Sequence, residues 1–119
     1  MTTEELEKRI KVLEDIEAIK QLHYTYVNCL ITANWDGVVA CFSEDGVVDL
    51  HAGLARGKKE IAKLFREEIS RFHIGQEGLF VIHPIVKVEG DKAKGNWLLY
   101  IQFALPRKMN PSSFMPHVQ

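Results

Sequence analysis

The stretch LFVIHPIVKVEGDKAKGNWLLYIQFAL, residues 79–105, decides the fold. A strand-like run from Leu79 to Glu89 meets Gly90-Asp91 and then a second run from Lys92 to Leu105. A glycine-led dipeptide between two such runs predicts an antiparallel hairpin, because a tight turn needs positive φ to match the twist of its strands. The second run alternates, with Ala93, Gly95, Trp97, Leu99, Ile101 and Phe103 on one face and Lys94, Asn96, Leu98, Tyr100 and Gln102 on the other. The first of these faces is wholly apolar and requires a cover. Pro84 has no amide to give to a ladder and marks a bulge. His83 before it reads either as an imidazole tied to nearby backbone or as an acid or base near neutral pH.

The cover lies upstream. No Gly or Pro interrupts Thr3 to Thr32, and Ile16, Ile19, Leu22, Tyr26 and Leu30 recur at helical spacing. Thr3 is the expected cap, with Glu4 and Glu5 in the first turn, where the helix dipole favours negative charge. Residues 1–14 form an N-terminal helical extension, charged on most faces, whose thin stripe of Leu6, Ile10 and Leu13 suits docking on a partner subunit. Residues 15–119 form the main domain. Asn34 is expected to cap a short helix from Trp35 to Phe42, ahead of the turn Ser43-Glu44-Asp45-Gly46. Gly46 to His51 reads as a strand, and Gly53 to Gly57 as a loop. Ile61, Leu64, Phe65 and Ile69 give a third helix, Lys58 to Ser70, the pattern of a helix lying on a sheet. The tail carries Pro106, Pro111 and Pro116 and reads as loop, entering a strand from Phe114 to Gln119. The sum is an α+β domain: helices packed on a curved antiparallel sheet, forming a cone around an apolar cavity.

Composition bounds the function. At 119 residues, with 46% hydrophobic and 26% charged, the chain can build one modest core. A net charge of −1 gives no field to gather nucleic acid or an anionic membrane. No apolar run reaches the roughly 20 residues that span a bilayer, and the acidic start MTTEELEKR is unlike a secretory signal, so a cytoplasmic protein is expected. Cys29 and Cys41 have neither zinc-ligand nor CxxC spacing and read as small core side chains. No phosphate loop, HExxH motif or nucleophile elbow is present in the sequence, and no cofactor or metal is expected. Tyr26 stands out in the apolar stripe, either as a core tyrosine with a satisfied hydroxyl or as a ligand-facing donor. Asp49 and His51 share a face of the first strand, within reach of each other or solvated at an edge. His23 reads as a surface residue on the polar side of the long helix, and His73 and His117 as loop residues.

Several strings in order carry a resemblance: Asp15-Ile16-Glu17-Ala18-Ile19-Lys20, Trp35-Asp36, Phe42-Ser43-Glu44-Asp45-Gly46 and Gly57-Lys58-Lys59-Glu60-Ile61. They continue with Pro84-Ile85-Val86-Lys87-Val88-Glu89-Gly90-Asp91 and Ala93-Lys94-Gly95-Asn96-Trp97. Together they resemble the SnoaL-like branch of the nuclear-transport-factor-2-like superfamily, the branch of bile-acid dehydratase and scytalone dehydratase, over roughly Asp15 to Leu105. The resemblance implies an Asp and a His meeting in the cone, with a Tyr on the long helix. The family tyrosine falls on Tyr26. The aspartate falls on Ile31, the histidine at or near Leu79, and a further strand carboxylate near Ile101. Aliphatic side chains offer neither lone pair nor charge, so the family's proton abstraction should not carry over. Relative to the family pattern the chain looks C-terminally shortened, with the last strands of the fold missing and an open sheet edge that favours a homo-oligomer.

These readings converge on a pocket for a small apolar molecule, or an oligomerisation module, lined by Phe65, Leu79, Trp97, Leu99, Ile101 and Ile31 with Tyr26 as its polar handle. The alternative is a dehydratase-like lyase or isomerase with Tyr26 as proton donor and His83 as base. A purely structural dimer is the third possibility.

Overall fold

The computed structural model describes residues 1–50, 53–71, 78–102 and 116–118. Helix α1, Thr3–Ile31, opens with a capping box. The Thr2 hydroxyl accepts from the Glu5 amide at 3.1 Å, and the Glu5 carboxylate accepts from the Thr2 amide at 3.2 Å. The cap is therefore Thr2 and not Thr3. A glutamate three positions on completes the box only for Thr2, since the corresponding position for Thr3 is Leu6. Residues 1–14 are exposed throughout, and half-burial begins at Asp15 and Ile16. Val27, Cys29 and Leu30 are buried at the other end. Asn34 starts the short helix α2, Trp35–Ala40, by accepting from the Gly37 amide at 3.0 Å.

Strand β1, Val47–Leu50, pairs antiparallel with β2, Gly53–Arg56. The segment read as a loop is thus a strand. Its four residues are too few for alternation to be legible, and the ladder with β1 defines it: Val48 faces Ala55 across the pair and both are buried. The third helix, α3, begins at Lys58–Lys63, loosens into a π-helical turn over Leu64–Glu68 and tightens into a 3₁₀ turn over Ile69–Arg71. Ile61, Leu64, Phe65 and Ile69 are all buried, as their spacing predicted. An ion pair between Arg66 and Asp36 ties α3 to α2 on the surface.

Strands β3, Gly78–Glu89, and β4, Lys92–Gln102, form the long hairpin, with Gly90 at a φ of 62° in its two-residue turn. A third strand, β5, Pro116–Val118, pairs antiparallel with β4 opposite Tyr100 to Gln102. The tail therefore returns to the sheet, as Phe114 to Gln119 suggested. The expectations for His51, His73 and Phe103, and for the tail from Pro106 to Met115, lie outside the described residues.

The hairpin carries one irregularity. Ile82 pairs with Leu98 and Ile85 with Asn96, so His83 and Pro84 together oppose Trp97 alone. Before this bulge the odd-numbered Leu79 and Val81 are the better-buried residues of β3; after it the even-numbered Val86 and Val88 are. The core gathers where α2, α3 and the inner end of α1 meet the sheet. Val38, Ile61 and Phe65 are fully buried, and the cross-strand pair Leu79 and Ile101 closes over them. The result is an α+β domain with helices covering antiparallel strands.

Candidate functional site

Between α1, β1 and the middle of β4 lies a hollow of about 360 Å³. Helix α1 contributes Ile19, Leu22, His23 and Tyr26, the end of α2 gives Cys41 and Phe42, and β4 gives Trp97. On α1, Ile19, His23 and Tyr26 succeed one another by four and three residues, which brings them to a single face. Tyr26 is fixed edge-on by two aromatic neighbours, Phe42 at 5.8 Å and 89° and Phe65 at 6.1 Å and 85°. His23 stacks on Trp97, ring centroids 4.1 Å apart and planes 13° from parallel, and lies 5.8 Å from the Tyr26 ring. The indole can lie as it does because the residue two before it has no side chain. A β-carbon on Gly95 would stand 2.5 Å from Cη2 of Trp97, inside van der Waals contact.

Burial sets the electrostatics. Desolvation lowers the pKa of His23, favouring neutral imidazole. Desolvation, with a smaller contribution from Cys41, pushes Tyr26 up to about 12, so its hydroxyl stays protonated and can donate. The Cys41 thiol is raised by burial and then by Cys29, and its Sγ donates to the Gly37 carbonyl at 3.3 Å. Two polar atoms in this site are shielded from solvent without a hydrogen-bond partner, Nδ1 of His23 and Nε1 of Trp97. Among the described residues no carboxylate lines the hollow and no cluster of His, Cys, Asp or Glu could hold a metal. A larger recess, about 530 Å³, lies between α1 and the hairpin tip. Glu4, Glu7, Lys8, Lys11 and Asp15 line it together with Val12 and Val88.

Of the residues singled out by sequence, Tyr26 and Trp97 line the hollow. Phe65, Leu79 and Ile101 are buried in the adjoining core, and Ile31 and Leu99 are half-buried against it. His83 is exposed at the bulge with a φ of 55° and is not among the lining residues. It shares parity with Leu79 and Val81, and the extra residue in β3 is what breaks the inward alternation at its position. His23 was missed. Read as a surface residue, it is half-buried in the hollow, because the buried stripe of α1 steps through Ile16, Ile19, His23, Tyr26 and Leu30. The four-and-three spacing of its apolar neighbours was the available signal, and Leu22, taken in its place, is 50% exposed.

Comparison with known proteins gives this helix-covered antiparallel sheet its family. Residues 11–116 match the model of the SnoaL-like domain. The chain belongs to this family. Among solved structures it is similar to an NTF2-like protein with a cystatin-like fold from Novosphingobium aromaticivorans. That likeness has a TM-score of 0.80 at 23% identity over 98% of this chain and 75% of the other. It is also similar to Rv3472, a protein of unknown function from Mycobacterium tuberculosis, with a TM-score of 0.68 at 21% identity over 77% of this chain and 56% of that one. At these identities the likenesses speak to the fold. No curated protein matches the chain by sequence.

Proposed function

We propose that this SnoaL-like domain binds a small, largely apolar molecule in the hollow beside α1, without the acid–base pair of its catalytic relatives. The observation that carries the reading is the lining: aliphatic and aromatic side chains around a protonated phenol and a neutral imidazole, with no carboxylate among the described lining residues. Apolar walls with few polar groups are what small-molecule sites use for affinity and orientation. The aliphatic Ile31 and Leu79, at the positions where the resemblance puts the family aspartate and histidine, fit a site that binds without turnover. Titration with steroids and flat aromatic compounds, followed by tryptophan emission, tests this. Binding should alter the emission of the native chain, and Trp97→Phe should remove most of the response while Trp35 still emits. Calorimetry showing no binding by any of them overturns the reading.

A second reading, a lyase or isomerase, draws on the imidazole beside Tyr26. Tyr26 would donate the proton, and the base would be His83 or, from its place in the hollow, His23. Tyr26→Phe, His83→Ala and His23→Phe would then each be assayed, and loss of an elimination or isomerisation with one histidine variant identifies the base. Activity unaffected by all three removes this reading. We further propose that two copies of the chain associate, through the exposed apolar residues of α1.

A further inference from the structure

The outer end of α1 has two unlike faces. Glu4, Lys8, Lys11 and Asp15 line the larger recess and look towards the hairpin tip. At about 100° per residue, Leu6, Ile10 and Leu13 lie about 160° round the helix from them, where the hairpin cannot cover them. All three are exposed, as are Glu17 and Tyr24 further along the same line, so among the described residues nothing stands over this side of α1. The spacing of four and then three makes the stripe a coiled-coil seam, with Leu6 and Leu13 at d positions and Ile10 at a. Leucine at d with a β-branched residue at a is the combination that favours two parallel strands. Glu17 holds the next a position, where two copies would bring like charges together, so the seam ends at Leu13.

Charge decides the direction. Arg9 and Glu14 flank the seam, at g and e. In a parallel, in-register pair each g residue reaches the e residue five positions on in the other chain, so Arg9 meets Glu14 of the second copy on both sides of the seam. An antiparallel pair sets e against e and g against g. It therefore opposes Glu7 to Glu14 in one register, and Glu7 to Glu7 with Arg9 to Arg9 in the other. Among the described residues neither charge is paired within its own chain. Arg9 touches the Met1 sulfur at 3.7 Å and Glu14 forms no ion pair, whereas Lys11, on the other face, is held by Asp15 at 2.5 Å. We infer that two copies of the chain pair through α1 as a short parallel zipper, with Leu6, Ile10 and Leu13 at its seam and Arg9 bridging to Glu14 of the other copy. This rests on the self-association proposed above and adds its direction and the residues that fix it. Both hairpins then turn outward from the same end of the zipper.

The test is sedimentation equilibrium of the full chain over a range of concentrations at low salt, with circular dichroism to confirm the fold of each variant. Positions 9, 10 and 14 are exposed, so substitutions there leave the core untouched. Glu14→Arg turns two attractions into two repulsions and should weaken the dimer about tenfold, and Arg9→Glu should do the same. The double exchange Arg9→Glu with Glu14→Arg restores both pairs and should return the affinity to within about threefold of the native chain. Added salt should weaken the native dimer and narrow the gap to the single variants. Ile10→Ser, which removes the centre of the seam, should leave a monomer. If Glu14→Arg tightens the dimer, Glu7 faces position 14, the helices are antiparallel and the inference fails while association through α1 stands. If Ile10→Ser dissociates the dimer but neither reversal changes it, the charge pairing fails and the association again stands. A dimer that survives Ile10→Ser, or a native chain that is monomeric throughout, overturns both.

Discussion

The indole of Trp97 occupies space that any side chain at position 95 would claim, so Gly95→Ala is a test of the site that replaces no lining residue. The added methyl must displace the indole, and overpacking of this kind is destabilising by about 1–3 kcal/mol. The expected result is a lower urea midpoint together with weaker aromatic binding, and unchanged tryptophan emission and binding would show that Trp97 does not lie over Gly95. His23 makes a second prediction, through pH. Its folded pKa lies below the 6.5 of an unperturbed histidine, so the unfolded chain takes up a proton first on acidification. Its contribution to stability is therefore complete above pH 6.5 and is lost as pH falls through the folded value. Urea midpoints at pH 8 and pH 5 should differ more for the native chain than for His23→Phe, and equal differences would mean that His23 titrates freely. Tyr26 acts at the other extreme. With a folded pKa of about 12 against 10.0 for an unburied phenol, its contribution persists up to pH 10 and is lost as pH rises towards 12.

At the scale of elements, the hairpin shows what sequence can and cannot reveal. The turn at Gly90-Asp91, the apolar face of β4 and the buried stripe of α3 were legible because each is periodic over a dozen or so residues. Strand β2 was not, since four residues carry no period and only its pairing with β1 makes it a strand. The facing of His83 was not legible either. Pro84 announced a bulge, but which side of it the alternation resumes on depends on the partner strand, and here two residues oppose the single Trp97. The same uncertainty hid the candidate site. Its polar members come from α1 and β4, and sequence shows neither that His23 lies under the indole nor that Gly95 clears the way. The bulge also carries a prediction. His83 holds a φ of 55°, a left-handed conformation that a side chain disfavours and glycine does not. His83→Gly should leave the fold intact and raise stability by up to about 1 kcal/mol, less what glycine loses in unfolded-state entropy. A loss exceeding that would mean the exposed imidazole makes a contribution of its own, and loss of an activity would favour the lyase reading with His83 as base.

The whole molecule is long for its size. A Cα radius of gyration of 17.3 Å, against about 13–14 Å for a compact chain of this length, goes with extents of 65 × 30 × 20 Å. Helix α1 is a large part of the reason, since 29 residues span about 43 Å at 1.5 Å each. Its outer end is exposed throughout, yet bears Leu6 at 49%, Ile10 at 47% and Leu13 at 65% exposure. Isolated apolar residues at a surface are ordinary; three in a row on one helical stripe are a patch. Helix propensity alone gives little reason for a charged, uncovered extension to remain helical in water, because most helix stability comes from packing. Packing against a second copy supplies that reason, and it predicts a solution mass of twice 13.6 kDa. Removing residues 1–14 should return the chain to a monomer by sedimentation without disturbing the core, because no buried residue precedes Val27. Binding of flat aromatic compounds in the hollow should survive the deletion, since Ile19 is the first lining residue there. A full-length chain that sediments as a monomer overturns the association. A dimer that survives the deletion moves the interface to the other exposed apolar surface, where Phe80, Ile82 and Leu98 stand out from the hairpin.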